Sequence, residues 1–211
     1  MNEPAISIQG LTKTYNQGLF KEKVLAVNDL SMTIPEGSVV GLIGSNGAGK
    51  TTTIYCILGT LIPDAGQISI YGHPPQSLEA KKRIGFQSEI FNTYSFLKPE
   101  KALSFYGKLA GINSDNLPAR IDEKLSRLGL SGAKNQKVKS FSKGMNQRLG
   151  IAQALLHEPD LLILDEPFTG LDPQGRREII EIIREEKAKG KTIFFSSHIL
   201  SDIERVCDKV V

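Results

Sequence analysis

The run SVVGLIGSNGAGKT, residues 38–51, limits what this chain can fold into more than any other stretch. A short apolar segment passes without a break into a glycine-rich turn. Residues 44–51 satisfy G-x-x-x-x-G-K-[ST] at every specified position. Glycines let the backbone turn tightly, so the successive amides of Gly44, Ser45, Asn46, Gly47, Ala48 and Gly49 converge on phosphate oxygens. A helix opening directly behind the turn adds its positive end to the same anion. Lys50 then reaches the β- and γ-phosphates, the Thr51 hydroxyl coordinates Mg²⁺, and Thr52 adds a donor toward the α-phosphate. The pattern requires a strand in front and a helix behind. SVVGLI supplies the first, and the apolar spacing through TTTIYCILG supplies the second, stopping near Gly59.

A second segment, LLILDEPFTGLD at residues 161–172, runs four apolar residues straight into Asp165 and Glu166. Such a strand is covered on both faces, and carboxylates at its end are costly unless a cation or strong donors compensate them. Mg²⁺ on a nucleoside triphosphate compensates Asp165, directly or through a coordinated water. Glu166 is left to orient or deprotonate an attacking water, the arrangement that metal-assisted phosphoryl transfer to water needs.

Strands are expected at residues 5–9, 24–34 and 38–43, in the turn-and-strand segment PDAGQISIYG, at 161–164 and at KTIFFSS. Helical periodicity covers residues 99–130, with a break near GINSDN, and residues 142–157. A further helix is bounded by Asp172 as N-cap, Pro173 in its first turn and Gly190 at its end; Ile179, Ile180, Ile182 and Ile183 form its apolar face. Strands alternating with helices give an α/β fold with a largely parallel core. DKVV opens another strand at the C-terminus, so the native chain is expected to continue past Val211.

No apolar run approaches the ~18 residues of a membrane-spanning helix, and the N-terminus carries no secretory signal. Cys56 and Cys207 lack metal-ligand spacing and fit a reducing compartment, with Cys56 read as core packing. A cytosolic chain is expected. The net charge of +3 is too mild to indicate nucleic acid, and the short basic runs KEK near Lys21 and KKR at residues 81–83 read as solvated surface.

With these motifs and FSKGMNQRLGIAQAL at residues 141–155, the sequence resembles the nucleotide-binding domain of ATP-binding-cassette (ABC) transporters over nearly its whole length. The resemblance implies a P-loop NTPase domain: a mostly parallel core sheet flanked by helices, with an N-terminal antiparallel β subdomain and a helical subdomain. Residues 1–87 and 160–211 would form the ATP-binding core and residues 88–159 the helical subdomain. The family's signature turn, usually Leu-Ser-Gly-Gly-Gln, is matched by Phe141, Ser142, Lys143, Gly144 and Met145; Ser142 and Gly144 are kept, while the central glycine and the glutamine are replaced. SKGM-x-QRL resembles the subgroup whose membrane partners are exporter-type permeases.

Other positions carry over singly. Gln87 matches the glutamine that touches Mg²⁺ or the lytic water, Asp172 the aspartate after the acidic strand, and His198 the switch histidine on the γ-phosphate. Tyr15 matches the aromatic that stacks on adenine, with the connection NQGLFKEK longer than usual. Phe91, Tyr94 and Phe96 either line the groove for a membrane-subunit helix or fill a small helical core. His73 and His157 match nothing and read as structural.

The resemblance implies an ATPase working as a homodimer or a pseudo-symmetric heterodimer. ATP, with Mg²⁺, would sit between the Lys50 loop of one chain and the Ser142 turn of the other. An integral membrane permease would carry the solute, holding this chain at the inner face of the cell membrane. The alternative is a soluble ABC ATPase acting on nucleic acid or ribosomes. Such proteins typically carry paired cassettes or a long coiled coil; one cassette and no heptad insert favour transport, with no nucleic acid expected.

Overall fold

The computed structural model describes residues 3–16 and 23–211. The 17–22 connection, with Lys21 and Glu22 of the KEK run and most of the loop expected to bear on Tyr15, lies outside the described residues. Two sheets organise the chain. β1 (Ile6–Asn16), β2 (Lys23–Ile34) and β4 (Ala65–Ile70) form an antiparallel sheet in the order β2-β1-β4. β5 (Ile84–Gln87), β6 (Leu161–Leu164), β7 (Thr192–Ser197), β3 (Val39–Ile43) and β8 (Lys209–Val210) form a parallel sheet in the order β5-β6-β7-β3-β8.

The parallel strands carry apolar residues on both faces because the period-two alternation serves two cores. Val39, Leu162, Leu164, Ile193 and Phe195 face one cluster; Val40, Leu42, Leu161, Ile163 and Phe194 face the other. The second cluster is closed by the antiparallel sheet and by α1 (Lys50–Ile57), through Ile54 and Ile57. Cys56 is buried there, as expected. The first is closed by α6 (Pro173–Ala188), whose Ile179, Ile180, Ile182 and Ile183 are all buried, and by the helices of the 88–159 segment. Those helices are α3 (Pro99–Leu109), α4 (Leu117–Arg127) and α5 (Lys143–Leu155). α5 lies against β5 so closely that a Cβ on Gly85 would run into the Ala154 carbonyl.

Several elements differ from the sequence reading, and two of them show why. β1 runs to Asn16 rather than stopping near residue 9, because Gly10, at φ +62°, takes up an irregularity between Ile8 and Leu11 and the pairing with β2 then resumes. The KKR run is the last turn of a short helix, α2 (Leu78–Arg83), capped by the Ser77 hydroxyl. Its Arg83 is not simply solvated: it pairs with Asp160 at 2.9 Å and lies 4.0 Å over the Tyr71 ring. The break near GINSDN separates α3 from α4, and α7 (Leu200–Ile203) is a single turn after β7.

Candidate functional site

In a parallel sheet all strands end at one edge, the usual place for a ligand cleft in an open α/β fold. Here β3 ends in the glycine-rich turn, β5 in Gln87, β6 in Asp165 and Glu166, and β7 in Ser197 and His198. Register brings them level: Ile43 pairs with Ser197, Leu164 with Phe195, and Gln87 with Leu164. Residues far apart in sequence thus meet because the strands that carry them are neighbours.

The turn at residues 44–49 needs its glycines. Gly47 and Gly49 have φ of +83° and +89°, and a Cβ on Gly49 would strike the Ala26 carbonyl oxygen. Ala48 N donates 3.1 Å to the Ser45 carbonyl, closing the turn. Lys50, buried at the start of α1, donates to the carbonyls of Gly44 at 2.7 Å and Ser45 at 3.0 Å, and its ammonium lies 3.2 Å from Glu166 Oε1. That contact is an ion pair without hydrogen-bond geometry, so Oε1 accepts no hydrogen bond. Thr51 Oγ1 donates 3.0 Å to Asp165 Oδ2.

Both carboxylates are buried and compensated from within the chain. Ser196 Oγ donates 2.7 Å to Asp165 Oδ1 and accepts the Glu166 amide at 2.9 Å. Glu166 adopts φ +48°, an unusual conformation for a non-glycine residue, held by that amide bond. Its Oε2 accepts from Thr169 Oγ1 at 3.1 Å and from His198 Nδ1 at 2.8 Å. An ionised carboxylate only accepts, so the Nδ1 proton of His198 points at Glu166. The Gln87 carbonyl accepts the Asp165 amide at 2.9 Å, and its side chain donates to Ser88 O and to Gln147 Oε1. Gln87 Oε1 is buried and has no hydrogen-bond partner.

A cleft of about 360 Å³ opens above these groups, lined among others by Asn46, Gly47, Thr51, Thr52, Glu166 and His198. Tyr15 stands at its side: the hydroxyl is 3.4 Å from Thr52 Oγ1, and the residue is 39% exposed. Glu89 and Thr169 also line the cleft and were not singled out in the sequence. Ser196 is the most consequential omission. The signal for it was a polar pair closing an otherwise apolar strand, KTIFFSS, directly before His198.

Three expected residues are not at this cleft. Ser142 caps α5, accepting from Met145 N at 3.2 Å, and Asp172 caps α6, accepting from Gly175 N at 2.7 Å. Ser142, Gly144 and Asp172 line a separate groove that shares no residue with the phosphate-loop cleft. The aromatic run is divided: Phe91 packs on the core, whereas Tyr94 and Phe96 are 46% and 64% exposed and form an edge-to-face chain with Phe105. His157 is structural, its Nε2 meeting the Ile84 carbonyl at 3.1 Å.

A profile described as ABC transporter matches residues 27–169. In an alignment of 213 positions the chain is 42% identical to an uncharacterized ABC transporter ATP-binding protein of Nostoc sp., covering 99% of this chain and 64% of that protein. It is 45% identical over 188 positions to the bacitracin transport ATP-binding protein BcrA of Bacillus licheniformis, covering 88% of this chain and 60% of that one. A dimeric ATP-binding cassette, solved in a post-hydrolysis state bound to ADP and Pi, superposes with a TM-score of 0.84 at 25% identity, over 95% of this chain and 91% of that one. The chain therefore spans less than two thirds of the length of these two curated relatives.

Proposed function

The chain belongs to the ABC transporter family of ATP-binding proteins, and from that premise we propose that it is an ATPase subunit that closes as a dimer on ATP and drives a separate membrane permease. One observation carries the reading. The Lys50 cleft and the Ser142–Asp172 groove are distinct surfaces of one chain, so a single copy does not bring the Ser142 turn to its own phosphate loop. Two copies placed head to tail join each cleft to the other's groove.

Within each half-site the roles follow from position. Backbone amides of the turn and Lys50 hold the β- and γ-phosphates, and Thr52 serves the α-phosphate. Tyr15 presents an exposed ring for adenine stacking, worth roughly 1–3 kcal/mol by analogy with base–aromatic stacks. Glu166 takes a proton from, or orients, the attacking water; His198 and Thr169 fix the rotamer of its carboxylate. Thr51 Oγ1, Asp165 and Gln87 Oε1 make an all-oxygen donor set of the kind Mg²⁺ prefers, and the unpartnered Gln87 oxygen fits that use. When bound, the ion neutralises charge on the phosphates. Because ATP binds the closed pair better than the open one, binding and loss of the γ-phosphate drive a conformational cycle.

Among the described residues no helix is long and apolar enough to cross a membrane, so the solute path is assigned to a partner. Exposed Tyr94, Phe96 and Phe105, carried on the 88–159 segment beyond Gln87, offer that permease a docking face. The chain would then sit at the inner face of the membrane. Relatives named for transport support this reading over action on nucleic acid or ribosomes.

Glu166→Gln tests it. The substitution keeps the cradle and slows hydrolysis by about 10²–10⁴-fold if Glu166 is the base, so MgATP should trap a dimer visible by sedimentation. A Glu166→Gln protein that stays monomeric under saturating MgATP refutes the two-chain site.

A further inference from the structure

We propose that Gln147 is a positioning residue for the reaction: it fixes which end of the Gln87 side-chain amide is committed to the protein, and so leaves the oxygen rather than the nitrogen for Mg²⁺. This rests on Gln87 Oε1 as a member of the metal's donor set, and it accounts for why the oxygen is the free end. Gln147 is buried on α5. Gln87, at the end of β5, is fully buried, and its backbone carbonyl accepts the Asp165 amide, which places it beside the acidic end of β6. α5 passes directly over it: a Cβ on Gly150, three residues beyond Gln147, would stand 2.9 Å from Gln87 Cγ.

A primary amide has nearly the same shape either way round, so packing does not choose between its two ends; hydrogen bonds do. Here a short chain of acceptors forces the choice. The Glu89 carbonyl can only accept, so Gln147 turns Nε2 toward it, at 3.2 Å. That presents Gln147 Oε1 to Gln87, and the oxygen is met by Gln87 Nε2. The second proton of the same group goes to the Ser88 carbonyl at 2.9 Å. Both donors of Gln87 are thereby used, and Oε1 is left buried with no hydrogen-bond partner among the described residues. A buried acceptor kept without a donor is costly and suits a place that receives a ligand. Turned over, the same amide would offer a cation two N–H donors, which cannot coordinate it. The Ser88 carbonyl engages only one of the two protons, so Gln147 supplies the part of the preference that the neighbouring backbone does not.

The experiment uses the full chain and reads a metal factor, the ratio of affinities for a non-hydrolysable ATP analogue with Mg²⁺ and with EDTA, by titration calorimetry. Gln147→Met keeps the length and removes both polar ends; Gln147→Glu keeps an oxygen for the Gln87 amide to meet. One neutral hydrogen bond is worth about five- to tenfold, so Gln147→Met should lower the metal factor by about that amount and leave affinity in EDTA unchanged, while Gln147→Glu should retain the factor. In the empty protein, the ¹⁵N-resolved side-chain amide of Gln87 should lose one downfield, hydrogen-bonded proton in Gln147→Met and keep both in Gln147→Glu. Gln87→Met sets the scale, and in that background Gln147→Met should change the metal factor no further. If Gln87→Met lowers the metal factor but Gln147→Met does not, or lowers both affinities in parallel, Gln147 only packs and the proposal is overturned. If Gln87→Met itself leaves the metal factor unchanged, the donor-set reading fails and this inference falls with it.

Discussion

Ser196 offers the sharpest test of how the site is held. Its hydroxyl is fully buried on β7 and makes two bonds at once, donating to Asp165 Oδ1 and accepting the Glu166 amide. Ser196→Ala removes a hydrogen bond to a charged acceptor, worth about 1.5–3 kcal/mol, and orphans a buried amide, at about 1–3 kcal/mol. The two share one oxygen and are not additive, so a loss of about 3 kcal/mol is expected. For a chain of this size each kcal/mol lowers the melting temperature by about 2–4 °C, which places the variant about 6–12 °C below the parent. Ser197→Ala is the matched control. Ser197 is equally buried, but its hydroxyl serves only the turn at Ile199, accepting that amide at 3.0 Å, so about 1 kcal/mol is expected. Thermal and urea unfolding of the three proteins decide the matter. If Ser196→Ala melts no lower than Ser197→Ala, the serine does not hold the two acids, and their compensation must come from elsewhere.

The other expectations are briefer. Lys50→Ala should abolish productive nucleotide binding in titration calorimetry, and normal affinity would defeat the cradle assignment. Gly85→Ala forces a methyl into the Ala154 carbonyl and Pro159, so overpacking should cost about 1–3 kcal/mol in urea unfolding; an unchanged midpoint would mean that α5 can back away from β5. Burial pushes the His157 imidazole below its ordinary value, with the Ile84 carbonyl offsetting part of that effect. The unfolded chain therefore takes up the proton first as pH falls. The stability His157 lends is complete above about pH 6.5 and is lost below it. The stability difference between parent and His157→Gln should shrink between about pH 7.5 and 5.5, and a constant difference would refute the assignment.

What the sequence disclosed was whatever is contiguous. The turn at residues 44–51, the acidic end of β6 and the caps of α6 each state their chemistry within a few neighbouring residues, and the apolar runs of β3, β6 and β7 mark a sheet buried on both faces. What it withheld depends on two segments meeting. β1 was read short because an irregularity at Gly10 interrupts an alternation that only the pairing with β2 shows to continue. α2 was missed because six residues are too few for a period to register, and its Arg83 acquires a role only beside Tyr71 and Asp160.

The same distinction runs through the site itself. Sequence named Asp165 and Glu166 as a pair and His198 singly, but the reason the three can act together is the strand order β5-β6-β7-β3, which follows from no single motif. Because β7 lies between β6 and β3, Ser196 stands beside both acids, and His198, just past its end, meets Glu166. The acids are therefore stabilised by the neighbour that also carries the histidine, so a shift of β7 would alter charge compensation and histidine placement in one motion. The Ser142 turn has no such tie. It lies beside Asp172 in a separate groove that shares no lining residue with the phosphate-loop cleft, so the two surfaces of the chain are shaped independently.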